Sequence, residues 1–204
     1  KVSGKHRVEY AINGTLPLSA AVIRYLMNNL PFAAQLVNAY QGTRYQAAYL
    51  DTTKKRFSGS GESLSGVFTT VLQNEQQTRS LYHGSGTAEV MVWRLKGTAL
   101  VTVDFEEAGP QAITYRLRCM AFPHSLFVKS ILNFILFRNA IVRVLDETVG
   151  FVQDSAVAFQ RGEREPIKNY PAFATPEGRQ HIEEFQDLLQ RTMGEAEAPL
   201  AMPG

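Results

Sequence analysis

The chain carries one cysteine and one tryptophan in 204 residues. A lone Cys119 excludes an internal disulfide and every zinc or iron–sulfur site built from several cysteines. Its strand parity makes it a small buried hydrophobe. Histidine offers no substitute, because His6, His83, His124 and His181 stand at spacings that match no metal-ligand pattern. No uninterrupted apolar run reaches the length of a bilayer span, about 20 residues, so the chain is expected to be soluble, with the cytoplasm as the default compartment. Charge of one sign is also lacking, the net being +2. Residues 1–60 hold eight Lys or Arg against two acids, and 163–204 hold four against eight, yet no basic-aromatic motif accompanies the positive third. No nucleic-acid partner is expected. Gly59-Ser60-Gly61 and Gly84-Ser85-Gly86 are glycine-rich, but neither links a strand to a helix as a phosphate-binding loop does, and both read as hairpin turns. No cofactor or metal is expected.

What is present is 45% apolar residues, enough for one sizeable core, and one long periodic stretch. Wound as an α-helix, 123–161 brings Phe127, Ile131, Phe134, Arg138, Ile141, Val142, Leu145, Val149, Val152, Ala156 and Phe159 onto one face. Arg143, Glu147, Asp154 and Arg161 occupy the other side of its second half, which predicts a one-sided helix lying on a sheet. The first half is apolar nearly all round, with Leu126, Leu132, Leu136 and Phe137 off the stripe. That end needs a second cover: a partner chain, a membrane surface, or other helices of the chain.

In order, Arg7 to Asn13 alternates as a strand ended by Gly14, and Leu18–Asn28 and Pro31–Tyr40 have helical spacing. Strand patterns follow at Tyr45–Leu50, Lys55–Gly59, Gly66–Gln73, Arg79–His83, Glu89–Leu95, Thr98–Phe105 and Ala112–Phe122, with Lys96-Gly97 as a further turn. Met91, Trp93, Val101, Val103, Tyr115 and Leu117 fall on apolar parities. Gly162 to Tyr170 reads as a charged loop, Thr175-Pro176 as the start of a last helix to about Thr192, and the tail from Gly194 as disordered.

This order of strand, two short helices, antiparallel strands and one long helix resembles the helix-grip superfamily of START-like and Bet-v-1-like (SRPBCC) domains. The resemblance implies an α+β fold in which a curved antiparallel sheet wraps the long helix around an apolar cavity. It covers 1–161 as a ligand-binding domain and leaves 162–204 as a C-terminal extension. A weaker similarity links Val144-Leu145-Asp146-Glu147, Val152-Gln153-Asp154, Tyr170 and Thr175-Pro176 to the end of the catalytic domain of Rieske-type oxygenases. That family's metal ligands do not carry over, since Asn28, Asn29 and Pro31–Tyr40 supply no histidine.

The expected function is binding or transport of a hydrophobic small molecule, lipid-like or polycyclic, with no catalytic residue assigned. The alternatives are a polyketide cyclase or aromatase-like enzyme, and an interaction module meeting a protein, a membrane periphery or a second copy. Candidate ligand contacts are Met91, Trp93, Val101, Val103, Tyr115 and Leu117 on strands, and Ile131, Phe134, Arg138, Ile141 and Leu145 on the helix. Arg138 is the one cation on the stripe, and a buried guanidinium needs an anion: the acidic head of a ligand, or Glu89 or Asp104. His83 beside Tyr82 is the one general-base candidate, and it reads as a surface residue.

Overall fold

The computed structural model describes residues 7–61, 63–90, 93–124 and 131–197; within these, the side chains of 90, 93, 131–138, 140, 141 and 195–197 lie outside the description. Strand β1 (Val8–Leu16) leads into α1 (Ala20–Asn28) and α2 (Leu30–Gln41). Strands β2 (Gln46–Tyr49), β3 (Arg56–Ser60), β4 (Leu64–Gln73), β5 (Arg79–Val90), β6 (Trp93–Gly109) and β7 (Ala112–Pro123) follow. Then come α3 (Ile131–Gln160), a single turn α4 (Glu165–Lys168), a 3-10 turn (Pro171–Ala174) and α5 (Pro176–Glu197). The sheet order is β1-β7-β6-β5-β4-β3-β2, every pairing antiparallel.

Local chemistry sets the helix limits. Ser19 caps α1 by accepting from the Val22 amide at 3.4 Å. Pro31 sits in the first turn of α2, where an amide would go unused, and Gly42 ends that helix at φ 64°. Both helices bury one face: Ala20, Val22, Ile23 and Leu26 from α1, and Phe32, Leu36 and Val37 from α2.

Two glycine pieces expected to be turns lie inside strands. Gly84 and Gly86 belong to β5 and Gly97 to β6, so the two long strands pair without a break from Arg79↔Asp104 to Val90↔Trp93. The register explains their use. Ala47, Gly59, Gly66, Gly86 and Gly97 are successive cross-strand neighbours, one rung across five strands. A Cβ on Gly66 would stand 2.8 Å from the Ser85 carbonyl oxygen, and one on Gly86 would be built into that of Ser65. At Gly66 and Gly86 the rung is a crease where backbones approach too closely for a side chain. Gly86→Ala is therefore expected to cost about 1–3 kcal/mol, read from urea denaturation; a midpoint equal to wild type would show that the strands can part at no cost.

Other expectations shift by a few residues. Gly14 does not end β1, which continues to Leu16. Pro123 belongs to β7, and the long helix is described from Ile131, with Leu126 and Phe127 outside the described residues. The charged loop after α3 holds α4, whose Ile167 is buried.

The core is in two parts. One gathers Leu16, Phe105 and Ile113 from the sheet, the buried faces of α1 and α2, Ala156 and Phe159 from the end of α3, and Phe173, Phe185 and Leu189. The other joins Val8, Ala88, Cys119 and Ala121, with Leu145 of α3 packed against it. The C-terminal segment is thus docked: Phe185 lies 5.1 Å from Phe159 and 5.4 Å from Phe32 between ring centroids.

Candidate functional site

The face of the sheet that meets α3 is read from the register. Tyr10, Ile12 and Leu16 of β1, Ile113, Tyr115, Leu117 and Cys119 of β7, Val101, Val103 and Phe105 of β6, Tyr82 of β5, Phe68 of β4 and Phe57 of β3 share it. At its two ends the side chains are fully buried in the two clusters just described. Between them Ile12, Val101, Val103, Leu117, Tyr82, Phe57 and Phe68 are only half-buried, as are Tyr45 and Phe151 opposite. A closed core would bury such residues fully. The middle of the inner face is therefore an apolar, aromatic-rich surface that the described side chains do not fill.

Several of its rings lie along the sheet. A Cβ on Gly14 would meet the Tyr115 ring at 2.9 Å, one on Gly84 the Phe68 ring at 2.7 Å, and one on Gly61 the Tyr45 ring at 2.6 Å. Each glycine removes the side chain that would otherwise hold the ring upright. Phe57 stacks on Phe68 at 5.4 Å and meets Tyr82 edge-on at 5.9 Å. Tyr45 is set by buried Asn38 of α2, which accepts from its amide at 2.8 Å and donates to its carbonyl at 2.7 Å. Its ring then reaches α3, 6.4 Å from Phe151.

Polar groups sit at the margins. The Tyr10 hydroxyl donates to the Asp146 carboxylate of α3, 3.2 Å from each oxygen. Burial pushes the Tyr115 phenol up from its ordinary value, and the Asp146 charge adds to the rise. Burial likewise raises Tyr82, against a smaller opposing pull from Ser80, whose own hydroxyl is fully buried and makes no hydrogen bond of normal geometry. Burial pushes the Cys119 thiol up to about 11, which makes it a poor nucleophile.

Of the eleven residues expected to contact a ligand, Val101, Val103, Tyr115 and Leu117 come together on the inner face, and Leu145 packs over the second cluster. Met91 lies outside the described residues, as do the side chains of Trp93, Ile131, Phe134, Arg138 and Ile141. Tyr10, Tyr45, Phe57, Phe68, Tyr82 and Phe151 were not among those expected. The two acids considered for Arg138 are engaged elsewhere, Glu89 with Arg94 at 2.7 Å and Asp104 with Arg79 at 2.5 Å. His83 is exposed on the outer face. Among the described residues no group of three or more His, Cys, Asp or Glu could hold a metal ion, and no helix is long and apolar enough to cross a membrane.

A recess of about 680 Å3 lies across β2 to β5, lined by Gln46, Ser58, Ser60, Ser65, Ser85 and Thr87 among others. Those side chains have the parity opposite to the inner face and are polar, with the Ser65 and Thr87 hydroxyls 2.8 Å apart. Ala48 and Val67, with the backbone of Gly59, Gly66 and Gly86, also line it. A second recess, about 170 Å3 between the starts of α2 and α5, is below the usual size for a ligand of drug-like size.

No family model matches the sequence, and no curated protein matches it. Solved structures do match in shape. A conserved protein from Geobacillus kaustophilus superposes with a TM-score of 0.51 at 9% identity, over 74% of this chain and 97% of its own. The ZhuI aromatase/cyclase from Streptomyces sp. R1128 gives 0.53 at 9% identity, over 76% and 96%. A START superfamily protein from Mycobacterium smegmatis gives 0.47 at 9%, over 73% and 95%. Identities this low speak to fold alone. Among the described residues, seven curved antiparallel strands, two short helices after the first and a long helix gripped by the sheet give this chain an α+β helix-grip fold, shared in outline with the aromatase/cyclase.

Proposed function

We propose that the chain binds a hydrophobic small molecule, lipid-like or polycyclic, between the inner face of the sheet and α3. The observation that carries this reading is the half-buried aromatic and aliphatic band between two closed clusters. Apolar surface held in that state gains free energy when a ligand covers it, roughly 25 cal/mol per Å2. Residues 1–161 are the ligand-binding unit, and 162–204 the extension that covers Phe32 and Phe159. Native mass spectrometry of freshly purified protein, with organic extraction of the same sample, is the test. A discrete added mass that leaves on denaturation supports binding; a bare mass, with no uptake of fatty acids, sterols or polycyclic aromatics by titration, removes it.

The contacts proposed are Val101, Val103, Tyr115, Leu117 and Leu145, with Met91, Trp93, Ile131, Phe134, Arg138 and Ile141. Arg138 orients an acidic ligand by a bidentate pair with its carboxylate. The engagement of Glu89 and Asp104 on the outer face leaves that role open to a ligand. Arg138→Met is expected to weaken binding of a carboxylic acid by about 1.5–3 kcal/mol and to leave its methyl ester unchanged. Equal losses for both would remove the anchor.

A second reading, an aromatase/cyclase-like enzyme, is favoured by one feature, the Asp146 carboxylate beside the Tyr10 and Tyr115 phenols at the margin of the band. Asp146→Asn separates the two readings: a carrier keeps its affinity, whereas an enzyme keeps affinity and loses turnover of a bound poly-β-ketone. Contact of the apolar stretch holding Leu126, Leu132, Leu136 and Phe137 with a membrane periphery or a second copy is a proposal for liposome sedimentation and light scattering.

A further inference from the structure

Exposed large hydrophobic residues are not scattered evenly. Leu50, Val71 and Leu72 are 47%, 58% and 52% exposed, and three of the four such residues among those described stand at one end of the sheet. Single exposed leucines are ordinary, but a group at one end calls for an explanation. The register brings them together. The Leu50 amide donates to the Arg56 carbonyl at 2.8 Å, and the Thr70 amide donates to that of Lys55 at 2.7 Å. Arg56 faces Thr69 across β3 and β4. Leu50 is thus level with Thr69 two strand spacings away, about 10 Å, and Val71 and Leu72 follow two and three residues further along β4. Between Thr70 and Leu72 the β4–β5 register slips by one residue, and this irregularity leaves Val71 without a partner in β5.

A run of three cations stands in the hairpin that follows Leu50. Lys54, Lys55 and Arg56 are exposed and none has an ion-pair partner among the described residues. Asp104 is neutralised by Arg79 at 2.5 Å, while Asp51, which accepts from the Thr53 hydroxyl at 2.7 Å and the Lys55 amide at 3.2 Å, and Glu75 in the second turn keep their charge against the three cations. Both hairpins are braced from behind. The Tyr49 hydroxyl donates to the Asn28 carbonyl at 2.7 Å and accepts from the Leu30 amide at 3.1 Å, while Asn28 donates to Gln77 at 2.7 Å.

We propose that this end, formed by the β2–β3 and β4–β5 hairpins, docks on an anionic lipid surface. Apolar side chains next to cations that have no ion-pair partner among the described residues, Lys54 lying over the Tyr49 ring at 5.3 Å, match the two layers of such a surface, the acyl boundary and the charged headgroups. A protein partner would need carboxylates interleaved with apolar groups at the same spacing. The bracing means that docking requires no ordering of the hairpins. The proposal is independent of whether the inner face carries a ligand.

The test is cosedimentation of the full chain with vesicles of phosphatidylcholine alone or with phosphatidylserine, at low and high salt. Binding is expected to the mixed vesicles, weakened by salt because the attraction is screened. The triple variant Leu50→Thr, Val71→Thr and Leu72→Thr keeps strand-compatible residues on the surface, and its circular dichroism is expected to match wild type. It should bind at least about tenfold more weakly, as should Lys54→Gln with Lys55→Gln and Arg56→Gln. Failure of the wild type to pellet with mixed vesicles overturns the proposal, and so does a threonine variant that pellets as well as wild type. A wild-type dimer that the threonine variant abolishes, with no vesicle binding, assigns the patch to a second copy and overturns it equally.

Discussion

Replacing Phe159 with alanine is expected to lower the unfolding free energy by about 3–5 kcal/mol, more than any surface change in the chain. The ring is fully buried at the end of α3. Phe185 of α5 lies against it at 5.1 Å, and the Arg164 guanidinium sits 3.7 Å from its centroid. Alanine would leave a cavity among α3, α5 and the turn holding Arg164. The cation would also lose the ring face that it covers. For a chain of this size the melting temperature should fall by about 6–20 °C, read by circular dichroism beside a urea series. A variant within about 1 kcal/mol of wild type would mean that the extension is not docked on α3 and that Phe159 is covered in another way.

The long helix was legible because its stripe recurs over eight turns, and a period of 3.6 over that length has no competing explanation. The inner face of β6 and β7 was legible for the same reason at period two: Val101 and Val103, and Tyr115 and Leu117, alternate with polar residues. Between β3 and β6 the alternation is broken by glycine. Gly84, Gly86 and Gly97 look like turn residues in a one-dimensional string, and only the register reveals that Gly66, Gly86 and Gly97 are neighbours on one rung. The same loss hid Phe68 and Tyr82, whose strands were read as shorter, and hid Phe57, whose role depends on stacking across strands. Tyr45 and Phe151 meet only because Asn38 fixes one backbone and the path of α3 fixes the other. The signal that existed was the pairing of Gly14, Gly61 and Gly84 with the Tyr115, Tyr45 and Phe68 rings, which is a non-local fact. Asp146 stood in the sequence among charged residues of the solvent side, and nothing local linked it to Tyr10, 136 residues away.

Raising the pH above about 10, the ordinary value for a free phenol, is expected to destabilise the fold steeply, because the tyrosines are held protonated. Five of the eight, Tyr25, Tyr40, Tyr49, Tyr82 and Tyr115, have values raised chiefly by burial. Tyr25 is raised furthest. Its hydroxyl donates to Glu184 at 3.0 Å, and the carboxylate opposes a second negative charge beside it. The direction follows from proton counts. Below the unfolded value both states hold the proton and stability is independent of pH. Between the unfolded and folded values the unfolded chain has lost protons that the native chain keeps, so unfolding becomes easier with every step upward. Near-ultraviolet absorbance should show these five phenols titrating above the ordinary range, as the fold is lost. Tyr25→Phe separates the contributions. It removes hydrogen bonds to Glu184 and His181 and should cost about 1 kcal/mol at neutral pH, yet its stability should decline less steeply than wild type above pH 10 or so, since one raised group is gone. A decline as steep as that of wild type would show that Tyr25 ionises freely in the native protein, and that α5 is held to α1 by packing against Phe185 rather than by that phenol.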